Sequence, residues 1–250
     1  MAVIGAGRLG TVLAAALRES GLAVAGPLGR GQRPQPCAAL ILCVPDAEIP
    51  AAASIAAGLA PLVGHTSGAT SLSAMEPAAR AGAQLFGLHP LQTFAGSPPA
   101  GRALDAFAGA GCAIAGSSPE ALGFASELAR RLGMTAFEID DEGRAAYHAA
   151  ASVASNFLVT LQAAAESIAA GAGLDPHEAR ALLVPLLRRT VDNLAELGPE
   201  AALTGPVARG DQATVETQRA AVAEAAPHLL DLFDQLVHHT RSLAERQVPA

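Results

Sequence analysis

His148, Ser152, Ser155 and Asn156 fall on one face of a helix with a 3.6-residue period, and the residues around them are mostly Ala, Val, Phe and Leu. A polar stripe on an otherwise apolar helix is either a hydrogen-bonded network between helices or a face that meets a ligand. An imidazole titrates close to neutrality, so His148 can give a proton to a carbonyl that is being reduced. Ser152 and Asn156 can orient the substrate or polarise the same oxygen. These three are the catalytic candidates. Two loops supply candidates for holding a substrate. GLHPLQTF, residues 87–94, contains His89 and Gln92. ALTGPVARGD, residues 202–211, contains Thr204 and Arg209, the latter a candidate clamp for a carboxylate. Turn chemistry is the alternative for both loops, and His65 reads as a packed core histidine.

A second kind of chemistry is written at the start of the chain. MAVIGAGRLG is a short apolar strand entering GxGxxG, with Gly5, Gly7 and Gly10 at the fixed positions and Ala6, Arg8 and Leu9 between them. With a strand before it and a helix expected over 11–20, this is a dinucleotide-binding fingerprint. Gly5 permits the tight turn, Gly7 lets the backbone approach a pyrophosphate, and Gly10 lets the helix lie close to the strand. The free N–H groups at the helix start then face the phosphates. A glycine turn without a ligand is the alternative. The usual acid that holds the ribose 2′-OH of NAD is missing after the second strand, where Arg30 stands instead. A guanidinium suits a 2′-phosphate, so NADP(H) is expected over NAD(H). Val44 and Pro45 in LCVPDAEI, and Ser67 in GHTSGAT, end later strands and are expected to border the cofactor.

The elements that must carry these residues follow from the apolar pattern. Strands are expected over 22–25, 38–44, 61–66, 85–88, 112–115 and 135–139, alternating with helices over 47–58, 72–81 and 119–132. That alternation implies an α/β domain, a doubly wound and mostly parallel sheet, over residues 1–140. Residues 141–250 show no strand signal and read as all-helical, with helices over 142–170, 175–197 and 215–246. The uncharged run over 145–165 holds too many polar side chains for a membrane span and is expected to be a packed helix.

Composition excludes several function classes. All 16 basic residues are Arg, which removes every mechanism that needs a lysine. A net charge of −7, no Trp and one Tyr argue against nucleic acid and against an anionic membrane as partners. Three cysteines without CxxC spacing are expected to be reduced thiols in a cytoplasmic protein, with no metal site. The opening residues lack a signal peptide's basic segment.

Taken in order, GAGRLG, LCVPDAEI, GHTSGA, GLHPLQTF, YHAAASVASNFL and ALTGPVARGD resemble the bacterial Rossmann-like proteins that carry the C-terminal domain of unknown function 2520. Pyrroline-5-carboxylate reductases, ketopantoate reductases and 6-phosphogluconate dehydrogenase-like enzymes are wider relatives. The resemblance implies an N-terminal NADP-binding domain, a helical domain that forms a homodimer, and an active cleft between them. It implies no particular substrate. Several of the wider relatives use a lysine in the helix after the first domain, where this chain has His148. The resulting expectation is an NADP-dependent oxidoreductase that transfers hydride to or from a small carbonyl, imine or hydroxy acid. The alternative is a dimer that binds NADP(H) as a sensor or scaffold without turnover.

Overall fold

The computed structural model describes residues 1–96 and 98–246. The chain divides into two compact units, Met1–Ser155 and Asn156–Ala250. In the first, β1 (Ala2–Ile4), β2 (Ala25–Leu28), β3 (Ala39–Leu42), β4 (Leu62–His65), β5 (Gln84–Leu91), β6 (Gly111–Gly116) and β7 (Thr135–Glu138) form one seven-stranded sheet of order β2-β1-β3-β4-β5-β6-β7. All neighbours are parallel except β5 and β6, which run antiparallel. This is the doubly wound, mostly parallel sheet expected.

Side chains alternate across the strands and are buried on both sides. Val3 and Ile41 join one core with Leu13 and Leu17 of α1 (Arg8–Glu19) and Leu128 of α4 (Pro119–Arg131). Ala2, Ile4, Leu40 and Leu42 join the other, against Ile49 and Ala53 of α2 (Ile49–Ala56) and Ala78 of α3 (Glu76–Arg80). The second strand lies three residues later than the expected 22–25. Gly21 ends α1 at φ 88°, and the Leu22 N–H bonds back to the Leu17 carbonyl. The start of the expected strand is spent on capping the helix.

The helix expected over 142–170 is interrupted. Here α5 (Arg144–Ala154) and α6 (Asn156–Ala169) flank Ser155, whose backbone sits at φ −118°, ψ −69°. Ser and Asn compete with the helix for backbone hydrogen bonds, which makes this pair the weakest point of the run. His148 and Ser152 therefore share a face of α5, whereas Asn156 opens another helix in the second unit.

The second unit continues with α7 (Pro176–Ala202), which starts at a capping box: Asp175 accepts from the His177 and Glu178 N–H groups, and Glu178 accepts from the Asp175 N–H. A break at Gly198 precedes Pro199. The helix expected over 215–246 is two helices, α8 (Gln212–Ala225) and α9 (Leu230–Ala244). Pro227 has no N–H to donate, and Ala226 before it sits outside the helical region at φ −148°, ψ 64°, so the run is not continuous. Arg180 grips the buried Glu166 with hydrogen bonds of 2.9 and 2.7 Å. Among the described residues, no helix is long and apolar enough to cross a membrane.

Candidate functional site

The glycine loop has the geometry its chemistry requires. Gly5 lies at φ 107°, and a Cβ there would collide with the carbonyl oxygen of Cys43 on the way out of β3. A Cβ at Gly10 would collide with the Gly5 carbonyl, so only glycine lets α1 start this close to the sheet. Gly7 faces open space, and no side chain caps α1 at that end. The exposed N–H groups and the positive end of the helix dipole therefore face a free volume that suits an anion. That volume belongs to a cavity of about 570 Å³ lined by Gly5, Ala6, Gly7, Arg30, Val44 and Pro45, among others. It lies where β2 and β3 leave β1 on opposite sides, the switch point at which open α/β sheets bind ligands. Arg8 opens α1 and is exposed, and Leu9 packs toward the core; neither lines the cavity.

Arg30 is exposed at the cavity's edge and pairs with Glu48 at 2.7 Å. Glu48 also lines the cavity. Reading the segment after the second strand does not find this acid, because it arrives from the turn after β3. The site residues fit a dinucleotide: a glycine cradle for the pyrophosphate, a cavity beside it, and a guanidinium from the segment after β2.

Further along the same sheet edge, a polar cluster forms around the loop after β4. Gly87 stands opposite His65 in the β4–β5 register, so His89 projects beyond the end of β4. His89 Nδ1 lies 2.7 Å from the Tyr147 hydroxyl. The His89 ring meets Tyr147 and His148 edge-on, with centroids 5.5 and 5.9 Å away. A Cβ on Gly68 would lie 2.7 Å from His89 Cε1 and 2.9 Å from His148 Nδ1, so the missing side chain lets both imidazoles close on the loop. Tyr147 also packs on Phe137 at 5.8 Å. Arg144, one turn earlier on α5, is buried and bonds Asp141 at 2.8 Å, and Asp141 accepts from the Ser71 hydroxyl. This chain of bonds ties the first turn of α5 to the loop after β4.

The cluster's electrostatics follow from burial. Burial, helped by His148, pushes His89 down to about 4. Burial, helped by Arg144, does the same to His65, also to about 4. His65 is fully buried, accepts from the Ser67 N–H at Nδ1, and leaves Nε2 without a hydrogen bond. It is the packed core histidine expected. Burial pushes the Tyr147 phenol up to about 12. The Ser71 hydroxyl and Arg144 hold Asp141 below the ordinary carboxylate range.

Of the residues expected at a site, the fold brings together His89 and His148, with Ser152 one turn further along α5. Ser67 is buried, and its hydroxyl oxygen accepts from the Ala69 and Thr70 N–H groups, so it shapes the loop. Gln92 is exposed and accepts from the neighbouring Thr93 N–H. Asn156, Thr204 and Arg209 belong to the second unit and are exposed. Sequence reasoning missed Arg144, Asp141 and Glu48, and gave no role to Tyr147. The spacing of Asp141 and Arg144 at the start of a helix was the available signal for the first two. Among the described residues, no three His, Cys, Asp or Glu side chains converge as a metal site.

Comparison with known proteins adds the family. In three dimensions the chain is similar to protein TM1727 from Thermotoga maritima, with 25% identity, a TM-score of 0.74 and 98% of each chain covered. It is similar to BF3122 from Bacteroides fragilis, described as a candidate NADP oxidoreductase, with 22% identity, a TM-score of 0.78 and coverage of 96% of this chain and 97% of that one. The pyrroline carboxylate reductase of Plasmodium falciparum, solved with NADP bound, has 9% identity and a TM-score of 0.59 over 97% of each chain. At these identities the last two speak to the fold. No curated protein sequence matches the chain. The family model described as Domain of unknown function (DUF2520) matches residues 110–240, more than half of the chain, and the protein belongs to that family.

Proposed function

We propose that the protein is an NADP-dependent oxidoreductase that reduces a small carbonyl or imine, or oxidises the corresponding hydroxy acid or amine. The observation that carries this reading is the glycine cradle: Gly7 and the uncapped start of α1 open onto a cavity whose far side holds Arg30. The pyrophosphate would rest on the N–H groups at the start of α1, and Arg30 would leave Glu48 to hold the 2′-phosphate. With the adenosine toward β2, the nicotinamide would extend toward the loop that carries Ser67 and Gly68. When bound, the cofactor would supply or accept the hydride. His148, exposed on α5 beside Gly68, would give its ring proton to the substrate heteroatom, and solvent would restore it. His89 stays neutral over the working pH range and cannot supply that proton as an imidazolium. The likeness to BF3122 and to the NADP-bound reductase supports the same reading.

Replacing Arg30 with Ala tests the cofactor assignment. A charge-assisted hydrogen bond contributes roughly 1.5–3 kcal/mol, so NADPH should bind about tenfold or more weakly while NADH is little changed. Fluorescence titration with both cofactors reads this directly. Equal loss for the two, or a parent protein that prefers NADH, would refute the assignment.

We also propose a cytoplasmic homodimer built through the helical unit. Phe157 and Val159 of α6, with Leu182, Leu186, Leu194 and Leu197 of α7, are all more than 45% exposed. Apolar side chains in such number on two helices mark an interface. Sedimentation at micromolar concentration should show a dimer. Leu182→Glu combined with Leu186→Glu should give a folded monomer, and a monomeric parent protein would overturn the assignment.

A further inference from the structure

We propose that Tyr147 is a second catalytic group, whose hydroxyl donates a hydrogen bond to the substrate heteroatom while neutral His89 holds it by donating Nδ1–H to the phenol oxygen. This rests on the oxidoreductase reading above.

Three independent anchors fix the phenol. Its oxygen is 2.7 Å from His89 Nδ1. Its ring stands edge-on to His89 at 5.5 Å and to Phe137 at 5.8 Å. Its helix turn is pinned by Arg144 through Asp141 to Ser71. None of the ring packing needs the hydroxyl, since a phenylalanine would fill the same space. A half-buried hydroxyl kept beside a half-buried imidazole costs desolvation, which a ligand's hydrogen bond would offset.

Which way the shared hydrogen bond runs decides what Tyr147 can do. Burial keeps His89 neutral, so its ring carries a single N–H. If that proton is on Nε2, the phenol must donate to Nδ1 and has nothing left for a ligand. If it is on Nδ1, the phenol oxygen accepts it and the phenolic proton remains free. Burial also keeps that proton on Tyr147 across the neutral range, which makes it a donor rather than a base. In the reduction, a hydride reaches the carbon of the C=O or C=N group and the π pair moves to the heteroatom. The Tyr147 O–H stabilises the charge that collects there. The His148 ring proton then completes the new O–H or N–H bond, and solvent water returns a proton to His148. The Tyr147 proton is never transferred.

The chain has one Tyr and no Trp, so the optical and NMR signals of this residue are isolated. Nitrogen-15 NMR of histidine-labelled protein, with His89 assigned by its loss in His89→Phe, should show Nδ1 protonated and Nε2 bare. The opposite tautomer overturns the proposal, because the Tyr147 proton would then be spent on His89. Tyr147→Phe should keep NADPH affinity within about twofold. It should lower kcat about a hundredfold for NADPH oxidation with pyruvate or 1-pyrroline as probe, the scale of losing one donor to a developing charge. Unchanged kcat, or lost NADPH affinity, overturns the proposal. A parent protein that fails to bind NADPH defeats the oxidoreductase reading itself, an outcome distinct from a wrong tautomer in an NADPH-binding protein.

Discussion

Acidification from pH 7 to pH 4 should destabilise the sheet unit steeply. His65 and His89 are held at about 4 in the folded chain, below the ordinary imidazole value of 6.5. A folded state with the lower pKa binds fewer protons than the unfolded chain. The stability these rings contribute is therefore fully present above pH 6.5 and is lost as the pH falls toward 4. A tenfold change in proton affinity corresponds to about 1.4 kcal/mol, so each ring should lose on the order of 3 kcal/mol across that window. The titratable groups around His89 are Tyr147, in hydrogen-bond contact, and His148, Asp46, Arg144 and His65. Those facing His65 are Arg144, Asp46 and Asp141, with the Ser71 backbone. The carboxylates do not replace burial as the main cause for either ring. Asp141, held low by Ser71 and Arg144, loses its contribution only at still lower pH, so the two windows separate. Urea unfolding midpoints measured at half-unit pH steps should fall between pH 6.5 and 4. His65→Gln should remove about half of that fall. A midpoint flat over the window would mean that solvent reaches both rings.

Replacing His148 with Gln should leave a folded protein that binds NADPH normally and turns over poorly. His148 is exposed, and its ring makes no hydrogen bond among the described residues, so the fold does not depend on its charge. A positioned general acid or base contributes about 10²–10⁴-fold, which puts the expected loss in kcat at a hundredfold or more. Steady-state NADPH oxidation with pyruvate and 1-pyrroline as probes, beside a titration of NADPH binding, reads both effects. Unchanged turnover in the variant would return His148 to a packing role and leave the cofactor assignment standing.

The sheet and the glycine loop were legible from sequence because both are local. A run such as Ala39–Leu42 can be buried on two faces only as an interior parallel strand. Gly10 is dictated by the Gly5 carbonyl and Gly5 by its own φ of 107°, both within the turn, although the Cys43 carbonyl after β3 also bars a side chain at Gly5. His65 was legible as core because it lies within the apolar strand expected over 61–66, nearer the strand body than Ser67. Periodicity did not locate the interruption at Ser155, since a helix pattern continues through it while the backbone does not. With that break, Asn156 opens α6 in the second unit and is not on α5 with His148.

The pairings at the site are long-range, and only the fold decides them. Arg30 meets Glu48, Ser71 meets Asp141, and His89 meets Tyr147, partners 18, 70 and 58 residues apart. No spacing rule connects such residues. The parallel strands β2, β3, β4 and β5 deliver Arg30, Glu48, Ser71 and His89 to one edge of the sheet, and the segment after β7 with the start of α5 brings Asp141 and Tyr147 to them. Side-chain chemistry along the chain determined which groups were available: glycines for an anion, a guanidinium in place of an acid, imidazoles and a single phenol. The order and direction of the strands determined which of them touch, and the burial that comes with packing set which of them can hold a proton.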